Sequence, residues 1–280
     1  MKSLSLINIS HEYSFNTSIN ESVKFKSTYE QYTPHINNIE RKYLELGRSK
    51  ELFTYQKNVL FDKDLMKKLY NDQFVKKELP RRNCYLIILN SVVGKTCPVC
   101  GICIVSSLDH YLPKSLFPCL AVLPANLYPS CSWCNSEKDT YVAEAKNKQL
   151  LHPYFDESCE LEWFQALLSI DSVFYFKIKV KPLNNEELLS RLEMQLQVYS
   201  LNELYSMKLV QKFTDRLSYL KSIFLYSGTN TLIKELFNSY NDSISKNLGI
   251  LEVAFYKALL CNPSFLYGDY FSITRISIVR

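Results

Sequence analysis

Glycine is scarce in this sequence, and long apolar runs are missing. Six glycines stand against 20 tyrosines and 16 phenylalanines among 280 residues, which favours helices and bulky packing over glycine-rich loops. No segment offers the run of about 18 apolar residues that a membrane-spanning helix needs. The first residues, MKSLSLINISHEYSF, lack the apolar stretch and cleavage site of a signal peptide. We therefore expect a cytoplasmic protein without a membrane segment.

A nucleotide-binding P-loop is also missing, although the run VVGKT at Val92 to Thr96 resembles the end of one. The motif requires a glycine five positions before Gly94, and Leu89 occupies that position. The formal net charge of +5 permits a polyanionic partner, but steering depends on where the charges lie. An apolar share of 47% with mixed charges is typical of a globular protein rather than a disordered chain.

Cysteine, in contrast, is plentiful and clustered. Nine cysteines in a reducing compartment are not expected to form disulfides. Two Cys-x-x-Cys pairs, Cys97/Cys100 and Cys131/Cys134, can instead turn four thiolates toward one zinc ion. Cys103 could replace Cys100 in this set. We expect Cys119, which has no partner at that spacing, to be a small core residue.

The segment between the two cysteine pairs has a distinct order of elements. The stretch from Ile102 to Leu108 is apolar and β-branched and predicts a strand, and an Asp-His pair follows it. The run LYPSC after Asn126 predicts a second short strand, and a helix begins within CSWCNSEKD. The expected order is strand, loop, strand, helix, with a polar residue at each junction.

These residues resemble the ββα-metal module of the HNH endonucleases, in the cysteine-clamped form with the pattern DH…NL…C-x-x-CN-x-x-K. The pattern is matched by Asp109-His110, Asn126-Leu127, Cys131-x-x-Cys134-Asn135 and Lys138. The run HPYFD from His152 resembles the segment after the module in stand-alone bacterial relatives. The third letter of the name HNH denotes a histidine, and Asn135 occupies that position in this sequence. Asparagine is a common variant there. The resemblance covers a small part of the chain, and the flanks carry no motif that we assign.

The resemblance implies a role for each matched residue. His110 is the expected general base, since an imidazole with a pKa near 6.5 can take a proton from water at neutral pH. Asp109 and Asn135 are expected to hold a catalytic cation, and such oxygen ligands favour Mg²⁺ or Mn²⁺. Asn126 is expected to fix the loop that aims His110. Lys138 and Lys114 are candidate phosphate contacts, with ordinary solvated lysines as the alternative.

The expected fold class is α+β. A central ββα-metal module at 83–156, stapled by a structural zinc site of four cysteines, is embedded in a mostly helical chain with a few short strands. A mostly helical extension at 1–82 precedes the module, and a mostly helical region at 157–280 follows it.

Patterns outside the module predict further elements. A basic helix from Asp62 to Lys77 offers either a phosphate-facing patch or a solvated face. FYFKIKVKP alternates with period two and predicts a strand with Lys177, Lys179 and Lys181 on one face. Helices are predicted over Asn37 to Leu46, Asn185 to Tyr199, Ser200 to Tyr226 with Gly228 as its stop, Thr231 to Tyr240 and Leu248 to Leu260, before a terminal strand in FSITRISIVR.

The resemblance indicates a metal-dependent endonuclease acting on nucleic acid, with DNA as the favoured substrate. Relatives of this layout, as in Septu systems and some retrons, act in bacterial anti-phage defence beside an ATPase subunit encoded nearby. The competing hypothesis is a non-catalytic, zinc-stapled module that binds nucleic acid or protein. We also expect the C-terminal face with Tyr199, Tyr205 and Phe213 to dock a partner protein, with an internal core as the alternative.

Overall fold

The computed structural model describes residues 3–20, 22, 25–76, 82–157, 163–170 and 174–269. The chain divides into two compact units, Met1–Ser158 and Cys159–Arg280. The first unit includes both the predicted N-terminal extension and the predicted module. Helices and two small antiparallel sheets confirm the α+β class. Within the described ranges, no helix combines the length and apolar character needed to cross a bilayer.

The first unit is built from six α-helices, short 3₁₀- and π-helical turns and one pair of strands in its described part. The α-helices and strands are α1 (His11–Asn20), α2 (Lys26–Glu30), α3 (Thr33–Arg48), α4 (Lys63–Lys68), α5 (Asn83–Leu89), β1 (Ser107–His110), β2 (Leu127–Ser130) and α6 (Ser132–Lys138). The predicted helix from Asn37 to Leu46 is thus part of the longer α3.

The predicted basic helix changes from α-helical to π-helical geometry partway along. It begins as expected at Asp62, whose carboxylate accepts a hydrogen bond of 2.7 Å from the backbone N–H of Leu65. After α4 the chain continues as a π-helical turn, Leu69–Phe74. The predicted end at Lys77 lies outside the described residues. Apolar spacing in a sequence does not distinguish an α-helical from a π-helical turn, so this difference was not predictable.

The two strands of the first unit pair antiparallel, with Ser107 opposite Ser130 and His110 opposite Leu127. The first strand begins later than the predicted Ile102. The backbone before it is engaged elsewhere: the N–H of Cys97 donates to the carbonyl of Cys103, and the N–H of Val105 donates to the carbonyl of Lys95, both at 2.8 Å. These bonds close the first cysteine turn, so the residues from Ile102 to Val105 do not extend β1.

The second unit combines a two-stranded sheet with helices. Its elements are β3 (Phe164–Ile170), β4 (Phe174–Val180), α7 (Glu186–Val198), α8 (Leu201–Ser245), α9 (Ile250–Leu260) and α10 (Pro263–Leu266). The predicted strand is confirmed as β4, with Lys177 and Lys179 exposed and Phe176 and Ile178 buried. Its partner β3 was not predicted. The predicted terminal strand, FSITRISIVR, lies outside the described residues.

Gly228 interrupts α8, as its predicted role as a stop requires. Its backbone is non-helical, with φ 78° and ψ 174°, a conformation that suits glycine. The hydroxyl of Tyr219 donates to Glu235 at 3.1 Å, whereas a straight helix would separate these residues by about 24 Å. The chain therefore folds back at Gly228 into a helical hairpin. Ser200 is the N-cap residue of α8, and its side chain makes no capping hydrogen bond.

The aromatic face predicted to dock a partner is the core of the second unit, which corrects that prediction. Tyr199, Tyr205 and Phe213 are all buried. Tyr205 stacks on Phe164 of β3 with ring centroids 4.8 Å apart, and Phe213 packs against Phe176 of β4. Helical spacing predicted the helix that carries Tyr205 and Phe213, but only the folded sheet shows which residues cover these side chains.

The core of the first unit contains an unusual histidine at the start of α1. His11 has no exposed surface, and neither ring nitrogen has a hydrogen-bond partner among the described residues. Burial therefore lowers the pKa of His11 from 6.5 to about 3. Because the unfolded chain binds a proton on this ring below pH 6.5 and the folded chain does not, the free energy of unfolding falls as the pH falls.

We expect His11→Leu to weaken this pH dependence. Between pH 6.5 and 4, wild type should lose up to ~1.4 kcal/mol per pH unit through this residue, and the variant should lose correspondingly less. Urea unfolding of both proteins at pH 7, 6, 5 and 4 measures the difference, and His35→Leu, which alters an exposed histidine, is the control. Identical pH dependence in wild type and His11→Leu would contradict the assignment.

Candidate metal centre and active site

Four cysteines form a compact cluster in the first unit. The Sγ atoms of Cys97, Cys100, Cys131 and Cys134 all lie within 4.8 Å of one another, and all four residues are buried. The Sγ atoms of Cys100 and Cys131 are 3.9 Å apart, and none of the four is in a disulfide. Tetrahedral Zn–S bonds of about 2.3 Å require S–S distances of about 3.8 Å. The cluster can therefore bind zinc.

Local backbone structure directs these thiols inward. The N–H of Gly101 donates to the carbonyl of Cys97 at 2.8 Å, which closes the first turn, and Gly101 adopts φ 72°. The N–H of Cys103 donates to the Sγ of Cys100 at 3.4 Å. In the second pair, Cys131 caps the first turn of α6, and its Sγ accepts from the N–H of Cys134 at 3.5 Å. Such N–H donors favour thiolate over thiol, as a zinc ligand requires.

The other two cysteines near the site lie outside the cluster. Cys103 is half-buried and contributes its backbone N–H rather than its thiol. Cys119 is buried beside Tyr55, and burial raises the pKa of its thiol to about 11. The structure thus favours Cys100 over Cys103 as the fourth ligand and agrees with Cys119 as a core residue.

Asp109 lies on the side of β1 that faces α6. Its Oδ1 accepts from the N–H of His110 at 2.7 Å, and its Oδ2 accepts from the hydroxyl of Tyr128 at 2.8 Å. Tyr128 is the residue directly opposite on β2, so the strand register itself supplies this donor. Lys138 of α6 completes the surroundings, with its Nζ 3.4 Å from Oδ2.

Asn135 faces the same side of β1 as Asp109. Its Nδ2 donates to the Oγ of Ser107 at 3.0 Å, and Ser107 precedes Asp109 by two strand positions, which places the two side chains on one face. Among the described residues, the Oδ1 of Asn135 has no hydrogen-bond partner. An amide oxygen and a carboxylate are therefore brought to the same side of β1, a donor set that suits a hard cation such as Mg²⁺ or Mn²⁺.

His110 follows Asp109 at the end of β1. Its Nε2 lies 2.9 Å from the carbonyl oxygen of Ala121, and because a carbonyl only accepts, Nε2 must carry the proton. The lone pair of the neutral ring is then on Nδ1, which has no partner among the described residues. Burial, and then the charge of Lys114, hold the pKa of His110 well below its usual value, so the ring is neutral at pH 7.

Asn126 holds the loop between the two strands. Its Oδ1 accepts from the N–H of Leu112 at 2.8 Å, and its Nδ2 donates to the carbonyls of Leu112 and Leu120 at 3.0 and 3.3 Å. The loop so fixed carries Ala121, whose carbonyl orients the ring of His110. These hydrogen bonds from Asn126 to the loop are the kind that its expected role in fixing the loop requires.

The support of Asn126 comes from residues outside the matched pattern. The hydroxyl of Tyr43 on α3 donates to the Oδ1 of Asn126 at 2.9 Å. The Nδ1 of His152 accepts from the N–H of Tyr154 at 3.1 Å, so its Nε2 carries the proton and donates to Tyr43 at 3.2 Å. The hydrogen bonds from His152 through Tyr43 to Asn126 thus have one consistent assignment of donors and acceptors. Sequence reasoning missed Tyr43, since no local pattern distinguishes it from other core aromatics.

The two candidate phosphate-binding lysines differ in their surroundings. Lys138 is 1% exposed, and besides the ion pair with Asp109 its Nζ donates to the carbonyl of His110 at 2.6 Å. The phosphate contact of Lys138 stays a prediction. To make this contact, the ammonium group would have to leave the oxygens of Asp109 and His110. Lys114 is half-buried, with its Nζ 4.6 Å from the centre of the Tyr70 ring.

Loss of the cluster should remove zinc and stability together. We expect about one zinc per chain, and Cys131→Ser should lower the zinc content and the melting temperature, since metal binding contributes folding energy. Cys103→Ser is the matched control and should keep its zinc, because its thiol lies outside the cluster. Elemental analysis with thermal unfolding measures both effects. Zinc loss in Cys103→Ser with zinc retained in Cys100→Ser would contradict the ligand assignment.

Removal of the buried ammonium group should destabilise the first unit. Lys138→Met keeps the length of the side chain but leaves Asp109 without its buried partner, at an expected cost of about 3 kcal/mol. Lys63→Met, which alters an exposed lysine of α4, should change stability by less than ~0.5 kcal/mol. Urea unfolding compares the two variants with wild type. Equal stability of Lys138→Met and wild type would show that the ion pair does not hold α6 against β1.

Sequence comparisons identify two curated relatives that match part of the chain. Protein ea31 of Escherichia phage lambda is 31% identical over 147 residues, which cover 48% of this chain and 49% of that protein. Septu protein PtuB of Bacillus thuringiensis is 39% identical over 49 residues, 18% of each chain. The chain therefore spans half or less of both relatives. No family model matches the chain, and no solved structure matches it. The chain is thus similar in part to a Septu protein and carries a candidate zinc site.

Proposed function

We propose that this chain is a metal-dependent endonuclease of the HNH type, with His110 as the general base. The observation that carries this proposal is the state of the His110 ring at the end of β1. Its Nε2 is held by the carbonyl of Ala121, which leaves the Nδ1 lone pair to accept a proton. Asp109, which directly precedes His110 in the same strand, stands beside α6, the helix that carries Asn135.

The proposed reaction is hydrolysis of a phosphodiester bond in nucleic acid. The Nδ1 of His110 takes a proton from the attacking water while the carbonyl of Ala121 keeps the ring in the required tautomer. Asp109 and Asn135 would hold Mg²⁺ or Mn²⁺, which supplies positive charge to the scissile phosphate and the leaving oxygen. Lys114, in the loop after His110, is the candidate phosphate contact on the side of the base.

The zinc site has a different role in this proposal. Four thiolates occupy all four coordination positions of a tetrahedral zinc ion, and such a closed ligand set is typical of structural zinc. The cluster joins the start of the module to the end of β2 and the start of α6. Its function is therefore to hold the strands and helix that carry Asp109, His110 and Asn135.

We infer that DNA is the substrate and that the protein acts as the nuclease effector of an anti-phage defence system. The partial similarity to a Septu protein supports the biological role. The positive net charge of +5 is compatible with a polyanionic substrate. An ATPase subunit encoded nearby is the partner that this role implies.

The decisive experiment is cleavage of supercoiled plasmid by wild type and His110→Ala with Mg²⁺ or Mn²⁺ added in excess of the bound zinc. Loss of a general base should lower the rate roughly 10²- to 10⁴-fold, with zinc content close to wild type. His35→Ala, which changes an exposed histidine, should cleave like wild type. Asp109→Ala should be rescued in part by high Mn²⁺ if this carboxylate holds the cation.

Two results would contradict the proposal in different ways. Cleavage by His110→Ala at the wild-type rate, with contaminating nuclease excluded, would remove His110 from the reaction. A wild type that binds DNA but cleaves none, alone or with the product of the neighbouring gene, would support the non-catalytic binding module instead.

A further inference from the structure

Tyr70, a residue of the N-terminal extension, packs directly against the proposed general base. Its ring lies 4.6 Å from the His110 ring, centroid to centroid, at an angle of 62°. No signal in the sequence connects these residues, which are separated by α5 and the first cysteine pair. The contact is made by the π-helical turn Leu69–Phe74, which follows α4.

The position of Tyr70 is itself firmly held. Phe74 stacks on Tyr70 with centroids 5.5 Å apart and an interplanar angle of 22°, and Phe74 in turn meets the edge of Tyr85 on α5. The two stacked rings belong to the same π-helical turn, and π-helical turns occur frequently at functional sites. Tyr70 is 6% exposed, so a rigid aromatic surface faces the imidazole.

A second contact is needed to orient the His110 ring. The hydrogen bond to Ala121 fixes one point, Nε2, and leaves the ring able to tilt about that point. An edge-to-face aromatic contact restricts the tilt and contributes about 0.5–1.5 kcal/mol beyond area burial. With Ala121 at Nε2 and Tyr70 against the ring, the direction of the Nδ1 lone pair is determined.

The hydroxyl of Tyr70 is not required for this packing. Among the described residues it has no hydrogen-bond partner, and burial raises its pKa, with contributions from Tyr85 and Asp109. The contacts that hold Tyr70 in place are made by its ring, with His110, Phe74 and the ammonium group of Lys114. The ring and the hydroxyl can therefore be tested separately.

We propose that Tyr70 is a positioning residue of the nuclease, whose ring holds the imidazole of His110 with Nδ1 directed at the attacking water. This inference rests on the proposed function, because it assigns a role toward the general base. It makes the segment Lys63 to Phe74 part of the active site. The module at 83–156 is then incomplete without the extension.

The test compares Tyr70→Leu, Tyr70→Phe and Tyr29→Leu in the full chain, with a DNA duplex as substrate and Mn²⁺ present. Tyr70→Leu removes the ring and should lower kcat roughly 10²-fold, the cost expected for a misplaced catalytic group, with KM within about threefold of wild type. Tyr70→Phe keeps the ring and should retain most of kcat. Tyr29→Leu removes another buried tyrosine that contacts α4 through the carbonyl of Leu65 and should lower stability without a comparable loss of kcat.

A spectroscopic readout separates this inference from the nuclease proposal. Loss of the Tyr70 ring current should shift the His110 ring proton resonances in Tyr70→Leu but not in Tyr29→Leu, with His110→Ala used for assignment. Unshifted resonances, or kcat losses of equal size in Tyr70→Leu and Tyr29→Leu, would overturn the positioning role. If wild type does not cleave, alone or with the product of the neighbouring gene, the proposed function fails. The resonance shifts then still decide whether the Tyr70 ring contacts His110.

Discussion

The close approach of four sulfur atoms is the constraint on which the candidate site depends. The Sγ atoms of Cys100 and Cys131 are 3.9 Å apart, although a long loop separates the two residues in sequence. Cys131 is the residue between β2 and α6, and its Sγ also caps that helix. A single metal ion at this point would therefore fix the end of a strand, the start of a helix and the turn that leads to β1. Metal binding of this kind replaces apolar core that a short strand pair cannot supply.

Buried polar groups transmit this constraint to the candidate catalytic residues. Lys138 of α6 contacts both Asp109 and the carbonyl of His110, so the helix that begins at the cluster also holds the end of β1. In the loop between the two strands, Asn126 receives support from Tyr43 and, through it, from His152. Because unpaired polar groups are costly in a protein interior, a network with complete pairing favours one arrangement of the loop. The orientation of His110 follows from that arrangement.

The candidate site is not confined to the residues that match the family pattern. Tyr43 and Tyr70 come from the region before the module, and His152 comes from the segment after α6. Two of them contact a residue of the pattern through a side chain: Tyr43 contacts Asn126, and Tyr70 contacts His110. The N-terminal extension therefore supplies part of the interior of the site as well as part of the first unit's core. The second unit has its own aromatic core, in which Tyr205 stacks on β3 and Phe213 packs against β4.

The sequence by itself determined the features that depend on local spacing. Two Cys-x-x-Cys pairs indicated the four-cysteine cluster, alternation indicated β4, and Gly228 indicated the break in α8, because each depends on residues near one another in the chain. Tertiary structure alone decided the surroundings of these features: the burial of Tyr199, Tyr205 and Phe213, the ion pair of Lys138 with Asp109, and the contact of Tyr70 with His110. These are contacts between distant segments, and spacing along a chain specifies which face a side chain occupies but not which neighbour covers it.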